Sequence, residues 1–233
     1  MDSYRNFTGI VGLQIDTGDG ADTVTYNQGT ATNAVNLRRD FTLQLKLGDN
    51  ATGTTDRFTA NVFGDVGFSQ NGAWQPRQLG LIVNGDGGHD RIDVNVNHDT
   101  DVRAGSLLYI HVGGDDGNDN ITVDYDGELD GKLDLQAEGN WGNDIVAVNL
   151  HLDAGSSGKV LGSDDPDHGG AAVVTGDLGD DNLTFAVRLA AGATAQVNAI
   201  VDGGFGFGWP DHDVGHHTTN VRTAWLEQDL VIQ

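Results

Sequence analysis

Apolar and polar residues alternate in short segments that recur along the chain. The clearest copy, residues 120–125, reads Asn-Ile-Thr-Val-Asp-Tyr, with an apolar side chain at every second position. A segment rich in Gly and Asp, Gly113 to Asp119, comes directly before it. Strict alternation behind such a segment is typical of a half-buried strand that leaves a tight turn. The pattern therefore predicts a strand over 120–125 with one face in a core.

The aspartate that closes each turn serves as a register mark for the repeats. These marks are Asp22, Asp56, Asp90, Asp119, Asp144 and Asp181, separated by 34, 34, 29, 25 and 37 residues. Thr, Asn and Asp dominate the odd positions behind the marks, whereas the second and fourth positions are all apolar. Such alternation predicts an inward and an outward row of one stacked parallel sheet. The inward row comprises Val24, Tyr26, Phe58, Ala60, Ile92, Val94, Ile121, Val123, Val146, Val148, Leu183 and Phe185.

A second strand is predicted ahead of each turn. In four repeats, apolar residues stand eleven, nine and seven positions before the mark: Val11, Leu13 and Ile15; Leu79, Leu81 and Val83; Leu108, Ile110 and Val112; Leu133, Leu135 and Ala137. Ahead of Asp56 the set Leu43, Leu45 and Leu47 is displaced by two residues, which predicts a longer loop from Gly48 to Thr55. A third, short corner is predicted at Gly105, Gly131, Gly155 and Gly192.

Repeat periods of this length indicate a solenoid or an array, in which stacked neighbours bury an apolar row that one repeat cannot bury alone. We therefore expect an all-β protein: a right-handed parallel β-helix or β-solenoid of about six to seven coils, with 25–37 residues per coil. The right hand follows from the rule for parallel crossovers. A single domain is expected over 1–233, with 203–233 as an irregular C-terminal cap whose final strand runs from Thr223 to Ile232.

The composition favours turns and strands over helices, and the net charge excludes some classes of binding partner. Of the 35 acidic residues 32 are Asp, which favours turns and caps over helix interiors, and the chain has 35 Gly. A net charge of −23 repels nucleic acid and anionic membranes, and no apolar run is long enough to insert into a bilayer. There is no Cys, so disulfides and thiolate chemistry are excluded. Because the N-terminus lacks the features of a signal peptide, we expect a piece of a longer bacterial protein that acts outside the cell or at its surface.

Five turns share a motif: Gly18 to Asp22, Gly85 to Asp90, Gly114 to Asp119, Gly139 to Asp144 and Gly176 to Asp181. Four of them keep Gly five and two places before the Asp, and all five keep an apolar residue two places after it. This motif resembles the nonapeptide Gly-Gly-x-Gly-x-Asp-x-apolar-x of the RTX, or haemolysin-type, repeat family. The resemblance implies a β-roll or β-helix in which calcium lies between stacked turns, held by the closing Asp and by turn carbonyl oxygens.

By position, the resemblance makes Asp22, Asp90, Asp119, Asp144 and Asp181 the first candidate calcium ligands. Second candidates are Asp19, Asp86, Asp115, Asp116, Asp177 and Asp180. The chain departs from the family in having one motif per long coil and in replacing the second Gly by Asp or Asn. The Asp56 turn lacks both glycines, and we expect it to bind nothing. The alternative is that Asp and Asn only cap tight turns through bonds to the backbone.

Three further groups of residues offer weaker signals. His212, Asp213, His216 and His217 can be read as a transition-metal site, although an exposed polar cap is the better interpretation. Asp164, Asp165, Asp167 and His168 form an acidic loop that we expect to be solvated. Trp74, Trp141 and Trp209 are expected in loops or turns, where they either stack on sugars or anchor the loops.

The sequence therefore leads to two functional hypotheses. The first is a calcium-stabilised structural or adhesive segment of a bacterial surface or secreted protein, with calcium, glycans or a cell-surface molecule as partners. The alternative is a β-helix that binds or cleaves a polysaccharide along its outward face. The chain has no Gly-x-Ser-x-Gly segment and no Cys, so no catalytic residue is predicted.

Overall fold

The computed structural model describes residues 11–49, 54–97, 100–162, 170–204, 212–218, 221–224 and 228–232. These residues form strands and turns, and no helix occurs among them. The strands are β1 Gly12–Asp16, β2 Thr23–Gln28, β3 Phe41–Lys46, β4 Arg57–Val62, β5 Phe68–Gln70, β6 Ala73–Gln75, β7 Gln78–Asn84, β8 Gly87–Gly88, β9 Arg91–Val96, β10 Leu107–Gly117, β11 Asn120–Gly127, β12 Lys132–Trp141, β13 Ile145–Leu152, β14 Lys159–Leu161, β15 Ala172–Leu178, β16 Asn182–Leu189, β17 Gln196–Val197, β18 Ala199–Asp202, β19 Val214–His217, β20 Arg222–Ala224 and β21 Gln228–Val231.

Most strands belong to two parallel sheets, between which the chain alternates. Sheet A has the order β1-β3-β7-β10-β12-β15-β18-β20, and sheet B has the order β2-β4-β9-β11-β13-β16-β19-β21. In both sheets the spatial order follows the order along the chain. The expected all-β, parallel architecture is confirmed, and it is compatible with a β-helix or solenoid. A third, short ladder lies at the predicted third corner, where Val102 bridges Val66 and Leu129 in parallel.

The core is built from the apolar residues of the two strand rows. Register pairs join equivalent positions of successive repeats, as in Ile92, Ile121 and Val146 on neighbouring strands of sheet B. All three side chains are fully buried. Each such side chain contributes on the order of 1.5–3 kcal/mol to folding. Among the three apolar residues of the strand predicted ahead of Asp22, Leu13 and Ile15 are half-buried, whereas Val11 is 63% exposed at the start of the described chain.

Two details of the register differ from the expectation. Leu43 pairs with Leu81 and Leu45 with Val83, so the segment between β3 and Asp56 holds four extra residues rather than two. In the range 203–233, strands β19, β20 and β21 continue both sheets. This range was expected to be an irregular cap. Each sheet consequently has eight strands on its main path, more than the six to seven coils expected.

The outward face of sheet B carries ladders of amide side chains. The Nδ2 group of Asn61 donates to Oδ1 of Asn27 at 3.0 Å, and that of Asn95 donates to Oδ1 of Asn61 at 3.3 Å. Farther along the same row, Asn149 donates to Asp124 at 2.8 Å. These bonds join successive strands through their side chains as well as their backbones. The predicted outward polar row is therefore a ladder that reinforces the sheet.

Candidate functional site

The aspartates that close the turns stack into one column along the corner between sheets A and B. In each case the backbone N–H of one aspartate donates to Oδ1 of the aspartate in the next repeat. The N···O distances are 2.5 Å from Asp22 to Asp56, 3.2 Å from Asp56 to Asp90, 2.7 Å from Asp90 to Asp119, 2.7 Å from Asp119 to Asp144, 2.7 Å from Asp144 to Asp181 and 2.9 Å from Asp181 to Asp213. All except the half-buried Asp22 are at most 3% exposed. The column thus brings seven carboxyl groups into one buried row.

Two carboxyl groups near the middle of the column have an oxygen without a hydrogen bond. Oδ1 of Asp119 accepts from the N–H of Asp90, and Oδ1 of Asp144 accepts from the N–H of Asp119. Their Oδ2 atoms are shielded from solvent and accept no hydrogen bond among the described residues. A buried acceptor left without a partner costs about 1–3 kcal/mol, and more when it is charged. These two oxygens are therefore the clearest ligand atoms that the column offers.

Burial makes the charged form of both carboxyl groups unfavourable. The pKa of Asp119 is raised to about 7, mainly by burial and further by the charges of Asp144 and Asp90, against a lowering by the Asp90 N–H bond. The pKa of Asp144 is raised to about 6, again mainly by burial, with the charge of Asp177 adding to it. At neutral pH a proton or a cation at the column therefore stabilises the folded chain.

Glycines allow the carboxyl groups to lie inside the turns. A Cβ atom at Gly114 would overlap Oδ2 of Asp119, and one at Gly139 would overlap Oδ2 of Asp144. A second glycine column stacks beside the first: a Cβ atom at Gly117 would overlap the carbonyl oxygen of Gly88. Both glycine positions that recur in the motif are thus explained by close approach, either of a carboxylate or of a carbonyl oxygen of the preceding turn.

The residues that replace the second Gly of the RTX motif adopt a left-handed backbone conformation. The φ angles are 63° for Asp86, 66° for Asp115, 73° for Asn140 and 68° for Asp177. Asp and Asn tolerate this conformation better than other residues with a side chain, so the departure from Gly leaves the turn intact. Asp115 is half-buried, and its pKa is raised by burial and by the charges of Asp86 and Asp116.

The second candidate ligands lie outside the buried column. Asp86, Asp115 and Asp177 are half-buried, and Asp115 and Asp177 both pair with Asn140 in the register of sheet A. Asp19, Asp116 and Asp180 are exposed. Asp86 also lies 3.7 Å from the Nζ atom of Lys46. The structure thus separates the first candidates, which share one column, from the second candidates, which do not belong to it.

A further ladder lies one residue before the column and runs in the opposite sense. The side chain of each residue accepts from the backbone N–H of the next repeat: His89 from Asn118 at 2.8 Å, Asn118 from Asn143 at 2.8 Å, and Asn143 from Asp180 at 3.1 Å. Asp180 in turn accepts from His212 at 3.0 Å. The turns are therefore tied together by two rows of side-chain bonds, as the turn-capping alternative predicts.

The sequence interpretation left two members out of the candidate ligand set. Asp56 is fully buried in the column although its turn lacks both glycines, and Asp213 extends the column by one repeat. A signal was available for both, because Asp56 is a register mark and Asp213 stands 32 residues after Asp181. Column membership follows from the register, whereas the glycines only shape the turn around it.

Among the described residues, the weaker candidates form no cluster of three metal ligands. Asp213 and His217 are buried, whereas His212 is exposed and pairs with Asp180 at 3.5 Å between Nδ1 and Oδ1. His217 Nδ1 lies 2.9 Å from the carbonyl oxygen of Thr218. The acidic loop at 164–168 and Trp209 lie outside the described residues.

The two described tryptophans of the candidate set have different surroundings. Trp74 lies on the hairpin of β5 and β6, and the guanidinium carbon of Arg103 is 4.3 Å from its ring centre. Arg103 is itself paired with Asp65 and Asp101 at 3.0 and 2.6 Å. Trp141 is 64% exposed next to the Asp144 turn. Trp74 therefore anchors its hairpin, whereas Trp141 presents an exposed ring at the end of β12.

The donor set of the column suits a hard cation. Carboxylate and carbonyl oxygens are what calcium prefers, with six to eight of them around one ion. The column supplies the shielded Oδ2 atoms of Asp119 and Asp144, and the second glycine column brings carbonyl oxygens close to the following turn. No thiolate exists in the chain, and the described column residues include no imidazole. The residues present therefore fit calcium better than a transition metal.

Comparison with known proteins adds no relative. No family model, no curated protein and no solved structure matches this chain. In the described part of the chain there is also no helix that is long and apolar enough to cross a membrane. The similarity to RTX repeats consequently remains a similarity of turn motifs.

Proposed function

We propose that this protein is a calcium-binding, calcium-stabilised β-solenoid that serves as a structural or adhesive segment outside the bacterial cell. In this proposal each consecutive pair of strands from sheets A and B forms one coil of a right-handed parallel solenoid. The observation that carries the proposal is the pair of buried Oδ2 atoms of Asp119 and Asp144, which accept no hydrogen bond among the described residues.

Calcium would act by linkage between binding and folding. An ion that binds the folded turns and not the unfolded chain stabilises the fold by RT ln(1 + [Ca]/Kd). Extracellular calcium modules bind at about 10⁻⁴–10⁻³ M, so calcium at about 10 mM would contribute roughly 1.4–2.7 kcal/mol per site. The net charge of −23 supports the same conclusion, since bound cations relieve repulsion among the carboxylates.

Asp119 and Asp144 are the ligands that the proposal places first, because burial raises the pKa of both carboxyl groups. Asp90 and Asp181 flank them in the same column. Turn carbonyl oxygens would complete the shell. The outer aspartates, such as Asp116 and Asp180, are exposed and contribute charge rather than a preformed ligand position.

Calorimetric calcium titration of the chelator-treated protein tests the proposal. We expect binding that Asp144→Asn reduces in stoichiometry or affinity and that Asp124→Asn leaves unchanged. Both substitutions remove one negative charge, but Asp124 lies on the outward row, where it accepts from Asn149. Equal loss in both variants would mean that only diffuse charge attracts calcium and would contradict binding at the column.

A second candidate function is carbohydrate binding, which a cavity of about 970 Å³ favours. Its lining includes Tyr26, Phe41, Phe68, Arg38 and Arg39, and the described lining contains no acidic residue. The Tyr26 and Phe41 rings are stacked 5.6 Å apart between centres. Flat aromatic faces suit sugar rings, and two arginines in a chain with only 12 basic residues favour an acidic sugar.

Affinity for oligogalacturonate, with neutral oligosaccharides of the same length for comparison, tests this second function. We expect the paired change Arg38→Gln and Arg39→Gln to abolish binding and Arg57→Gln, an exposed arginine away from the cavity, to preserve it. Absorbance of unsaturated product would distinguish cleavage from binding. Absence of binding to either class of oligosaccharide would refute a carbohydrate function of this cavity.

A further inference from the structure

A cluster of three potential metal ligands lies on the outward face of sheet B, away from the aspartate column. It is formed by Asp126 on β11, His151 on β13 and Asp153, which follows β13 directly. Asp126 and His151 are register partners on adjacent parallel strands. His151 and Asp153 are two residues apart in extended chain, so both side chains project to the same face.

The three side chains already approach the spacing of ligands around one ion. Nδ1 of His151 lies 3.0 Å from Oδ1 of Asp126, and one donor atom from each residue lies within 4.8 Å of the others. Ligands at 2.0–2.2 Å from a tetrahedral zinc ion are about 3.3–3.6 Å apart from one another. Small rotations of side chains, without movement of the strands, would therefore bring all three atoms to a common centre.

The backbone holds these residues in the interior of the sheet. Strands β11 and β13 pair with each other and are flanked by β9 and β16. The N–H of Asp153 donates to the carbonyl oxygen of Gly127 at 3.0 Å, which fixes the third ligand against β11. Oδ1 of Asp126 is shielded from solvent, whereas half of the His151 side chain is exposed. The paired strands thus fix the backbone of the three residues, and the exposed side of His151 gives an ion access from solvent.

Nearby charges are mostly negative. Asp153 contributes to raised pKa values at Asp101 and Glu128, where burial is the larger cause at both groups. The nearby cationic groups are Arg188, the exposed register partner of His151 on β16, and Arg103, whose charge lowers the pKa of Asp101 and Glu128. The carboxylates outnumber these two arginines, which favours a divalent cation at this part of the sheet.

We propose that Asp126, His151 and Asp153 form a zinc site that is independent of the calcium function. One imidazole and two carboxylates form a mixed donor set that suits zinc, whereas calcium prefers oxygen ligands alone. Three protein ligands leave the fourth position to water or to a ligand atom of another molecule. The site would therefore either fix two neighbouring strands together or present an exchangeable coordination position on the outward face.

Calorimetric titration of zinc chloride into the full, chelator-treated chain tests the site, with calcium present in excess to occupy the oxygen-only sites. We expect one zinc ion per chain. His151→Ala and Asp153→Asn should each weaken zinc affinity by roughly 100-fold or more, since loss of even a hydrogen-bond partner of a ligand weakens metal affinity by about 10–100-fold. Cobalt substitution should give the intense visible absorption of a four-coordinate ion, and His151→Ala should abolish it.

His212→Ala is the matched control, because His212 also pairs with a carboxylate, Asp180, but belongs to no cluster of three ligands among the described residues. This variant should bind zinc as the parent chain does. The proposal is overturned if no zinc binds at roughly 100 μM, a concentration that would reveal a site as weak as about −5 kcal/mol. It is equally overturned if His151→Ala binds normally or if His212→Ala weakens binding to the same extent.

Discussion

Replacing Asp119 by Asn separates a cation site from turn capping, because it removes the charge and keeps the acceptor. The Asn side-chain oxygen can still accept the Asp90 N–H bond, which is 2.7 Å long in the parent chain. What changes is the ionisation of a carboxyl group that is 2% exposed. The substitution therefore acts on the buried charge and leaves the ladder of turns in place.

The magnitude follows from the shift in pKa. Asp119 titrates at about 7 in the folded chain and at 3.8 when unperturbed. At pH 7.5 this difference corresponds to a cost of on the order of 4 kcal/mol for the metal-free fold, at 1.36 kcal/mol per unit. Since burying an amide also has a cost, Asp119→Asn should stabilise the metal-free protein by about 2–4 kcal/mol, or roughly 5–15 °C in Tm for a chain of this size.

Calcium should reduce this advantage of the variant. The parent chain gains the binding energy of its sites, whereas Asp119→Asn loses the contribution of at least one of them, roughly 1.4–2.7 kcal/mol at 10 mM calcium. The assay is thermal denaturation followed by circular dichroism at pH 7.5, in EDTA and then in calcium. Asp124→Asn, on the outward row of the strand that follows Asp119, controls for the loss of one charge.

If Asp119→Asn is less stable than the parent chain in EDTA, the charged carboxylate stabilises the fold without a metal and the predicted cost of burying it is refuted. If the stability advantage of the variant is the same in EDTA and in calcium, calcium binding by Asp119 is refuted. In that case the column would relieve its charge with protons alone.

Further predictions concern pH, backbone and core. Without metal, the folded chain binds more protons than the unfolded chain between pH 3.8 and about 7, because the pKa values of Asp119 and Asp144 are raised. The stability that these protonated groups contribute is therefore fully present below pH 3.8 and is lost as the pH rises towards 7. Urea midpoints measured in EDTA should fall over the same pH range. A flat profile would contradict the raised values. Gly117→Ala should lower the free energy of unfolding in urea by at least about 3 kcal/mol, because φ is 148° and the methyl group overlaps the Gly88 carbonyl oxygen. Gly72→Ala is the comparison, with φ of 77° and open space around the methyl group, and it should lower the free energy by about 1–2 kcal/mol. Equal costs would show that the turns do not stack as described. Phe58→Ala, at a fully buried position, should cost about 3–5 kcal/mol by the same assay, and a cost under 1 kcal/mol would place Phe58 outside the core.

The periodic pattern predicted most of the fold because parallel strands stack equivalent positions. Ile121 and Val146 share a register that follows from counting two residues past each aspartate. The offset before Asp56 was wrong by two residues, since a loop of any length can precede a turn without disturbing the pattern on either side. Strand β21 lies within the strand predicted from Thr223 to Ile232, whereas β19 is not predicted, because Val214–His217 contains a Gly and two His rather than a run of apolar residues. The pairing of β19 with β16 and β21 comes from neighbours distant along the chain.

The candidate site was predictable in its members but not in its geometry. The motif identified Asp119 and Asp144, yet it could not tell that one oxygen of each accepts a backbone N–H from the preceding repeat. Distances between side chains on separate strands depend on register, which also explains why the Asp126, His151 and Asp153 cluster was missed. His151 and Asp153 follow Asp126 by 25 and 27 positions in the sequence, so the three residues form no local motif.

Thermal denaturation of the parent chain in EDTA, and again after calcium is restored, shows whether calcium binding at the aspartate column stabilises the fold. If the aspartate column binds calcium, the β-sheet signal should persist to a markedly higher temperature in calcium than in EDTA, and the gain should shrink below about pH 6, where protons compete for Asp119 and Asp144. If the melting temperature is the same with and without calcium at pH 7.5, the column is a ladder of turn-capping carboxyl groups and the proposed calcium function is wrong.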